Sequence, residues 1–185
     1  PLLDKISKIL IGRLSGISAH HIPFYMKSKM LPSWETNVID DWESKLERIV
    51  DETIDKDMTI ISGIPSWIQM YFERIVEKKQ KKVGTIFQNF SLFVYGGVNF
   101  QPYERKFKSL IGRKIDSIEL FPASEGFYAF QDRQESKDLL LILNDGIFYE
   151  FIEEKKYHLN VFDRIPIAEV CLNTNYVLII STNAG

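Results

Sequence analysis

The stretch Leu92-Phe93-Val94-Tyr95-Gly96-Gly97-Val98-Asn99-Phe100-Gln101-Pro102-Tyr103 passes from an apolar strand pattern, through two glycines, into a helix. The helix is expected from about Pro102 through Phe107 and Leu110, because proline's fixed φ and missing N–H suit a first turn. A similar unit comes before it. Residues 58–61 form a short, mainly apolar run, Ser62-Gly63-Ile64-Pro65 form a tight loop, and Trp67, Ile68, Tyr71, Ile75 and Val76 then recur at helical spacing. Two strand-loop-helix units in succession predict parallel strands joined by right-handed crossovers, and ligands of such sheets sit at the strands' carboxyl ends. The loops at 62–66 and 96–101 are therefore the first places to look for chemistry.

Upstream, Asp40 and Asp41 precede Trp42, Leu46, Ile49 and Val50, an acidic start and helical period that predict a helix ending near Glu52. Residues 1–40 read as mixed short elements, and the charge run 77–82 as a solvated helix end. Beyond Ile115 the texture becomes β. Strands are expected at 117–121, 127–130, 139–143, 147–152 and 176–181, with Asn144-Asp145-Gly146 as a hairpin turn. The fold class is thus α/β. A mixed, partly parallel sheet with flanking helices, about 40–115, passes into an antiparallel or barrel-like β region, about 116–185.

Of the 185 residues, 45% are apolar, enough for a sizeable core, and 23 basic residues against 25 acidic leave a formal charge of -2. No nucleic acid or anionic membrane is expected as a partner; small molecules fit better. Cys171 is the one cysteine, so the chain can form no internal disulfide framework or thiolate metal cage. It lies in a run, 168–172, that reads as core or strand, and a reducing cytoplasm is the expected setting. The apolar run 139–143 is far too short for a bilayer, and no targeting signal is legible. Both ends read as cut points within a longer protein.

The sharpest local feature is Phe121-Pro122-Ala123-Ser124-Glu125-Gly126, a small-residue loop between strands with a hydroxyl beside a carboxylate. A serine can donate to a phosphate oxygen, a glutamate can ligate a hard cation such as Mg2+, and an aromatic can face a base. Taken alone it also fits a plain polar turn. Gly96-Gly97-Val98-Asn99, about 25 residues earlier on the neighbouring predicted strand, permits close backbone approach to a flat ring and opens a helix. No catalytic triad is supported: His20, His21 and His158 show no spacing that pairs them with a nucleophile or metal. Glu150 reads as an exposed strand residue. Trp67 and Tyr71 either line an acid pocket or pack as core, with core favoured by their helical spacing.

Four segments together resemble the auxin-responsive promoter, or Gretchen Hagen, family of acyl-acid amido synthetases. These enzymes belong to the adenylate-forming superfamily, which includes luciferases and acyl-CoA ligases. The segments are Ile61-Ser62-Gly63-Ile64-Pro65-Ser66-Trp67, the Tyr95 to Phe100 stretch with Pro102-Tyr103, the Phe121 to Gly126 motif, and Asn144-Asp145-Gly146-Ile147-Phe148-Tyr149-Glu150-Phe151. The resemblance implies that the chain is the central part of the large N-terminal, adenylating domain. Phe121 would lie near the adenine, followed by Pro122 and Ala123, with Ser124 at the α-phosphate, Glu125 on Mg2+, and Gly96, Gly97 and Val98 bordering the base. It implies ATP as substrate, Mg2+ as cofactor, and a carboxylic acid and an amino acid as the joined molecules. Ala123-Ser124 stand where plant members usually have two serines, so the sequence looks closer to bacterial members.

A Ser/Thr/Gly-rich phosphate loop before Pro1, a Tyr-Arg-x-Gly-Asp motif after Gly185, and the C-terminal domain are expected outside the chain. The 185 residues alone are then expected to bind nucleotide weakly and form no adenylate. Transfer to coenzyme A or another thiol stays open, as does a non-catalytic binding module on the same fold.

Overall fold

In the computed structural model, described for residues 22–182 and for the backbone of a short antiparallel ladder between β1 (Leu2–Leu3) and β2 (Leu10–Ile11), a sheet forms where the two units predict it. Its order is β3 (Ile60–Ser62), β4 (Leu92–Gly96), β5 (Asp116–Ala123), β6 (Gly126–Phe130), β7 (Leu140–Leu141). The first three strands run parallel, and β6 and β7 are added antiparallel. The fold is α/β with a mixed, partly parallel sheet. His20 and His21, and the chain's last three residues, lie outside the described residues.

Helices α1 (Phe24–Lys27) and α2 (Trp34–Asn37) precede α3 (Trp42–Thr53), which starts as its acidic entry predicts: Asp41 Oδ2 accepts from the Ser44 N–H at 2.8 Å. Helix α4 (Pro65–Lys79) begins two residues before Trp67, with Pro65 in its first turn, so the loop after β3 shrinks to Gly63 and Ile64. After the short α5 (Val83–Ile86), α6 (Gln101–Ile111) ends at Gly112, whose φ of +81° lets the backbone turn out. Both α4 and α6 pack on the face that Phe93 and Tyr95 present. Phe72, Phe87, Phe90 and Phe93 are at most 1% exposed, and the Phe107 ring bridges Phe72 at 5.5 Å and Phe93 at 5.0 Å. Arg113 then stitches the approach to β4 by donating to the carbonyls of Phe87, Gln88 and Phe90 at 3.3, 2.9 and 2.5 Å. The lysines of the 77–82 run do more than face water: Lys78 pairs with Asp51 of α3 and Lys79 with Asp55 in the turn after it.

The β region holds two corrections. Asn144-Asp145-Gly146 closes no hairpin, because β7 pairs with β6 whereas β8 (Ile147–Glu153) pairs with β10 (Tyr176–Thr182) and β9 (Ile165–Pro166) in a separate antiparallel sheet. Gly146 supplies the left-handed turn, φ +72°, but the turn hands the chain from one sheet to the other. Turn chemistry specifies a reversal; which strands pair is set by the sheets. Cys171 is exposed, not core: residues Ile167–Glu169 form a 3-10 turn, and Leu172 is 93% exposed. Five apolar-leaning residues without alternation or a ladder partner could not hold a strand. A short helix α7 (Glu154–His158) follows β8.

One polar network ties α2 to α3. Thr36, 1% exposed, donates from its hydroxyl to Glu52, which also accepts from the Ser33 N–H and hydroxyl, each at 2.7 Å. The Thr36 bond, followed by those from Ser33, holds the Glu52 carboxyl below the usual range against the opposing effect of burial. A depressed folded pKa contributes stability that is present above about pH 4.3, the unfolded value, and is lost as pH falls through the folded one. Glu52→Gln should therefore cost about 1–3 kcal/mol at pH 7, and the difference from wild type should shrink below pH 4 in urea unfolding followed by circular dichroism.

Candidate functional site

The parallel register brings the two glycine- and serine-bearing segments to one corner. Leu92 pairs with Asp116 and the ladder runs up to Gly96 with Leu120, so β4 ends where the Phe121–Gly126 motif begins, at the carboxyl ends of both strands. Gly96 is required there. A Cβ on it would stand 2.5 Å from the Leu120 carbonyl oxygen and 3.2 Å from Pro122 Cδ. Gly97, at φ +81° with open space around it, turns the chain away from the sheet. Val98 is left 41% exposed, and Asn99 Oδ1 accepts from the Gln101 N–H at 2.9 Å, preparing the first turn of α6. Phe100 instead turns inward onto Phe93, Tyr95 and Phe107, at 5.3, 4.8 and 5.0 Å. The loop is anchored by one aromatic and faces outward through Gly97 and Val98.

The Phe121–Gly126 motif is a hairpin rather than an open loop. Ala123 pairs with Gly126, so Ser124 and Glu125 alone make the turn, and the ladder shifts register between Phe121 and Pro122. Proline has no N–H to give a ladder, which favours an irregularity at that point. Phe121, Pro122, Ala123, Ser124 and Glu125 are all exposed. Neither Ser124 nor Glu125 makes a side-chain hydrogen bond or ion pair among the described residues. Phe121, 44% exposed, stands edge-on to Tyr128 at 5.4 Å. Burial, and then the charge of Glu125, push the Tyr128 phenol up. Tyr95 behind the corner donates to Glu119 Oε2 at 3.3 Å and is pushed up to about 12, by burial first and the Glu119 charge second.

Trp67 and Tyr71 part company. Tyr71 is core: 5% exposed, its hydroxyl 2.6 Å from Thr53 Oγ1 and its pKa raised by burial to about 12. Trp67 is 50% exposed and packs against Trp42 with the rings tilted at 42°, centroids 5.2 Å apart, just past the carboxyl end of β3. Glu150 is half-buried and paired with Arg164 at 3.2 Å, instead of exposed and free. His158 lies exposed on α7, remote in sequence from the corner, with Glu154 at 3.9 Å.

Among the described residues no three His, Cys, Asp or Glu side chains cluster as a metal cage. One carboxylate at a turn still fits Mg2+, which keeps several waters and is commonly held by one or two carboxylates plus substrate phosphates. A groove of about 600 Å3 lies at the other end of β5, among Phe93, Phe107, Ile111, Ile115 and Ser117; it shares Phe100 with the corner's loop but none of Gly96, Gly97, Val98 and the Phe121–Glu125 residues. No helix of the described residues is long and apolar enough to cross a membrane.

Sequence reasoning missed how the second sheet meets the hairpin. Gly126 has Ile147 Cδ1 2.8 Å from the place of its absent Cβ, and Tyr128 meets Tyr149. Alternation in 147–152 revealed a strand but not its neighbour.

No family model matches the chain, and no curated protein matches it. Among solved structures it is similar to the crystal structure of apo MatB from Rhodopseudomonas palustris, with 13% identity and a TM-score of 0.36 over 62% of this chain. The similarity spans 21% of that protein's chain. A superposition so loose carries no functional argument, so the site stands on its own geometry.

Proposed function

We propose that this chain is the central part of the adenylating domain of an ATP-dependent acyl-acid ligase, with the corner between β4 and β5 as its nucleotide site. The observation that carries the reading is the meeting of two separately recognised motifs at the carboxyl ends of neighbouring parallel strands, where α/β sheets bind ligands. Gly96, Gly97 and Val98 border the adenine opposite Phe121. Ser124 donates to an oxygen of the α-phosphate. The acid's carboxylate oxygen attacks the α-phosphorus, pyrophosphate leaves with the electrons of the broken P–O bond, and an acyl-adenylate remains. Glu125 holds Mg2+, which offsets phosphate charge when bound. In the finer reading an amino acid's amine then attacks the acyl carbon, AMP leaves, and an amide forms, as the sequence's resemblance to the amido synthetases implies.

Photolabelling the intact protein with 8-azido-ATP, followed by proteolysis and mass spectrometry, tests the corner. Label is expected in peptides covering 92–105 and 116–130, competed by ATP. Label confined to other peptides would sink the assignment. Product analysis with amino acids and with coenzyme A separates the amide from the thioester outcome.

A further inference from the structure

The groove at the start of β5 has an apolar floor and fixed walls. Phe100 and Ile115 are half-buried, and buried Phe93, Phe107 and Ile111 complete the floor. The rings of Phe93, Phe100 and Phe107 contact one another, with centroids 5.3, 5.0 and 5.0 Å apart. Gln134 accepts from the Ser117 N–H at 3.4 Å and donates to the Ser117 carbonyl at 3.0 Å. Gln131 Nε2 donates to the carbonyls of Arg133, Gln134 and Ser136 at 3.0, 3.4 and 2.8 Å, so the 131–136 loop is braced against the start of β5. A ligand finds the groove already formed, and its volume of about 600 Å3 lies within the range of small-molecule sites, roughly 300–1,000 Å3.

Charges of both signs border that floor. Glu104 and Lys108 of α6, Lys114 before β5 and Glu135 in the braced loop are exposed, and none makes an ion pair or a side-chain hydrogen bond among the described residues. Arg113 is the exception, since its Nη2 is spent on the carbonyls before β4. The dipole of α6 accounts for Glu104 in its first turn and Lys108 in its last, but for neither Lys114 nor Glu135, which lie outside the helix. A purely anionic ligand would meet two carboxylates here, and a purely cationic one two ammonium groups. A zwitterion with an apolar body meets each charge with its opposite and the floor with its side chain.

We propose that this groove binds a free α-amino acid with a large apolar side chain, its carboxylate toward Lys108 and Lys114, its ammonium toward Glu104 and Glu135, and its side chain on Phe100. The site lies at the opposite end of β5 from the corner with β4, and it stands whether or not that corner binds a nucleotide.

The test is calorimetric titration of the intact protein with L-phenylalanine, with 3-phenylpropionate, which lacks the ammonium, and with phenethylamine, which lacks the carboxylate. L-Phenylalanine should bind, and each analogue about tenfold more weakly; glycine, with no apolar body, should not bind measurably. Lys114→Gln and Glu135→Gln replace exposed side chains, so the fold is spared; each should weaken L-phenylalanine about threefold, and the double variant about tenfold. Absence of L-phenylalanine binding overturns the inference. Binding of 3-phenylpropionate as tight as that of L-phenylalanine overturns the zwitterion. L-Phenylalanine binding that the double variant leaves unchanged would put the amino acid at another site, which removes the groove and leaves the reading of the corner untouched.

Discussion

Glu125→Gln in the intact protein should lower Mg2+-dependent adenylate formation by on the order of 100-fold while leaving the fold unchanged. The fold is spared because the side chain is exposed, occupies a turn position, and makes no hydrogen bond or ion pair among the described residues. Glutamine keeps the shape and one oxygen but loses the charge that holds a hard cation. With no other carboxylate cage among the described residues, nothing nearby replaces it. The deficit should appear chiefly in turnover and in the Mg2+ concentration needed for half-maximal rate, read from pyrophosphate release at several Mg2+ levels. An unchanged Mg2+ dependence would remove Glu125 from the metal.

Phe72→Ala should cost about 3–5 kcal/mol, a large part of the roughly 5–15 kcal/mol that stabilises an ordinary domain. Phe72 is fully buried on α4, with ring centroids of Tyr71, Phe90 and Phe107 at 5.7, 5.8 and 5.5 Å. Those neighbours belong to α4, the approach to β4, and α6, so the cavity would open at the junction that fixes the helices on the sheet. Partial collapse of three aromatic rings cannot refill it. Urea unfolding followed by tryptophan fluorescence reads the loss, and a cost below about 1 kcal/mol would mean that the junction is not the core it is taken for.

How much of this was legible in the sequence depends on how local its cause is. Asp41 before Trp42 fixed a helix start, and Pro65 and Pro102 marked two more, because caps and prolines act on their own backbone. Parallel pairing of β3, β4 and β5 followed from two successive strand-loop-helix units. The corner was legible too, as Gly96-Gly97 and Ser124-Glu125 on neighbouring strands. What distance alone decides was not. Asn144-Asp145-Gly146 has hairpin chemistry yet joins two sheets, since its flanking strands find other partners in β6 and β10. Cys171 looked like core because its neighbours are apolar, but no ladder reaches 168–172 to bury them. Tyr71 and Trp67 sit one turn apart on α4, and only packing against Thr53 separates the buried one from the exposed one.

The measurement that bears most directly on the adenylating reading is exchange of labelled pyrophosphate into ATP by the intact protein, across a panel of aryl and aliphatic carboxylic acids, with and without Mg2+. The account predicts exchange that requires both Mg2+ and at least one acid of the panel; absence of exchange with every acid, from protein that is folded, would contradict it and favour a non-catalytic binding module.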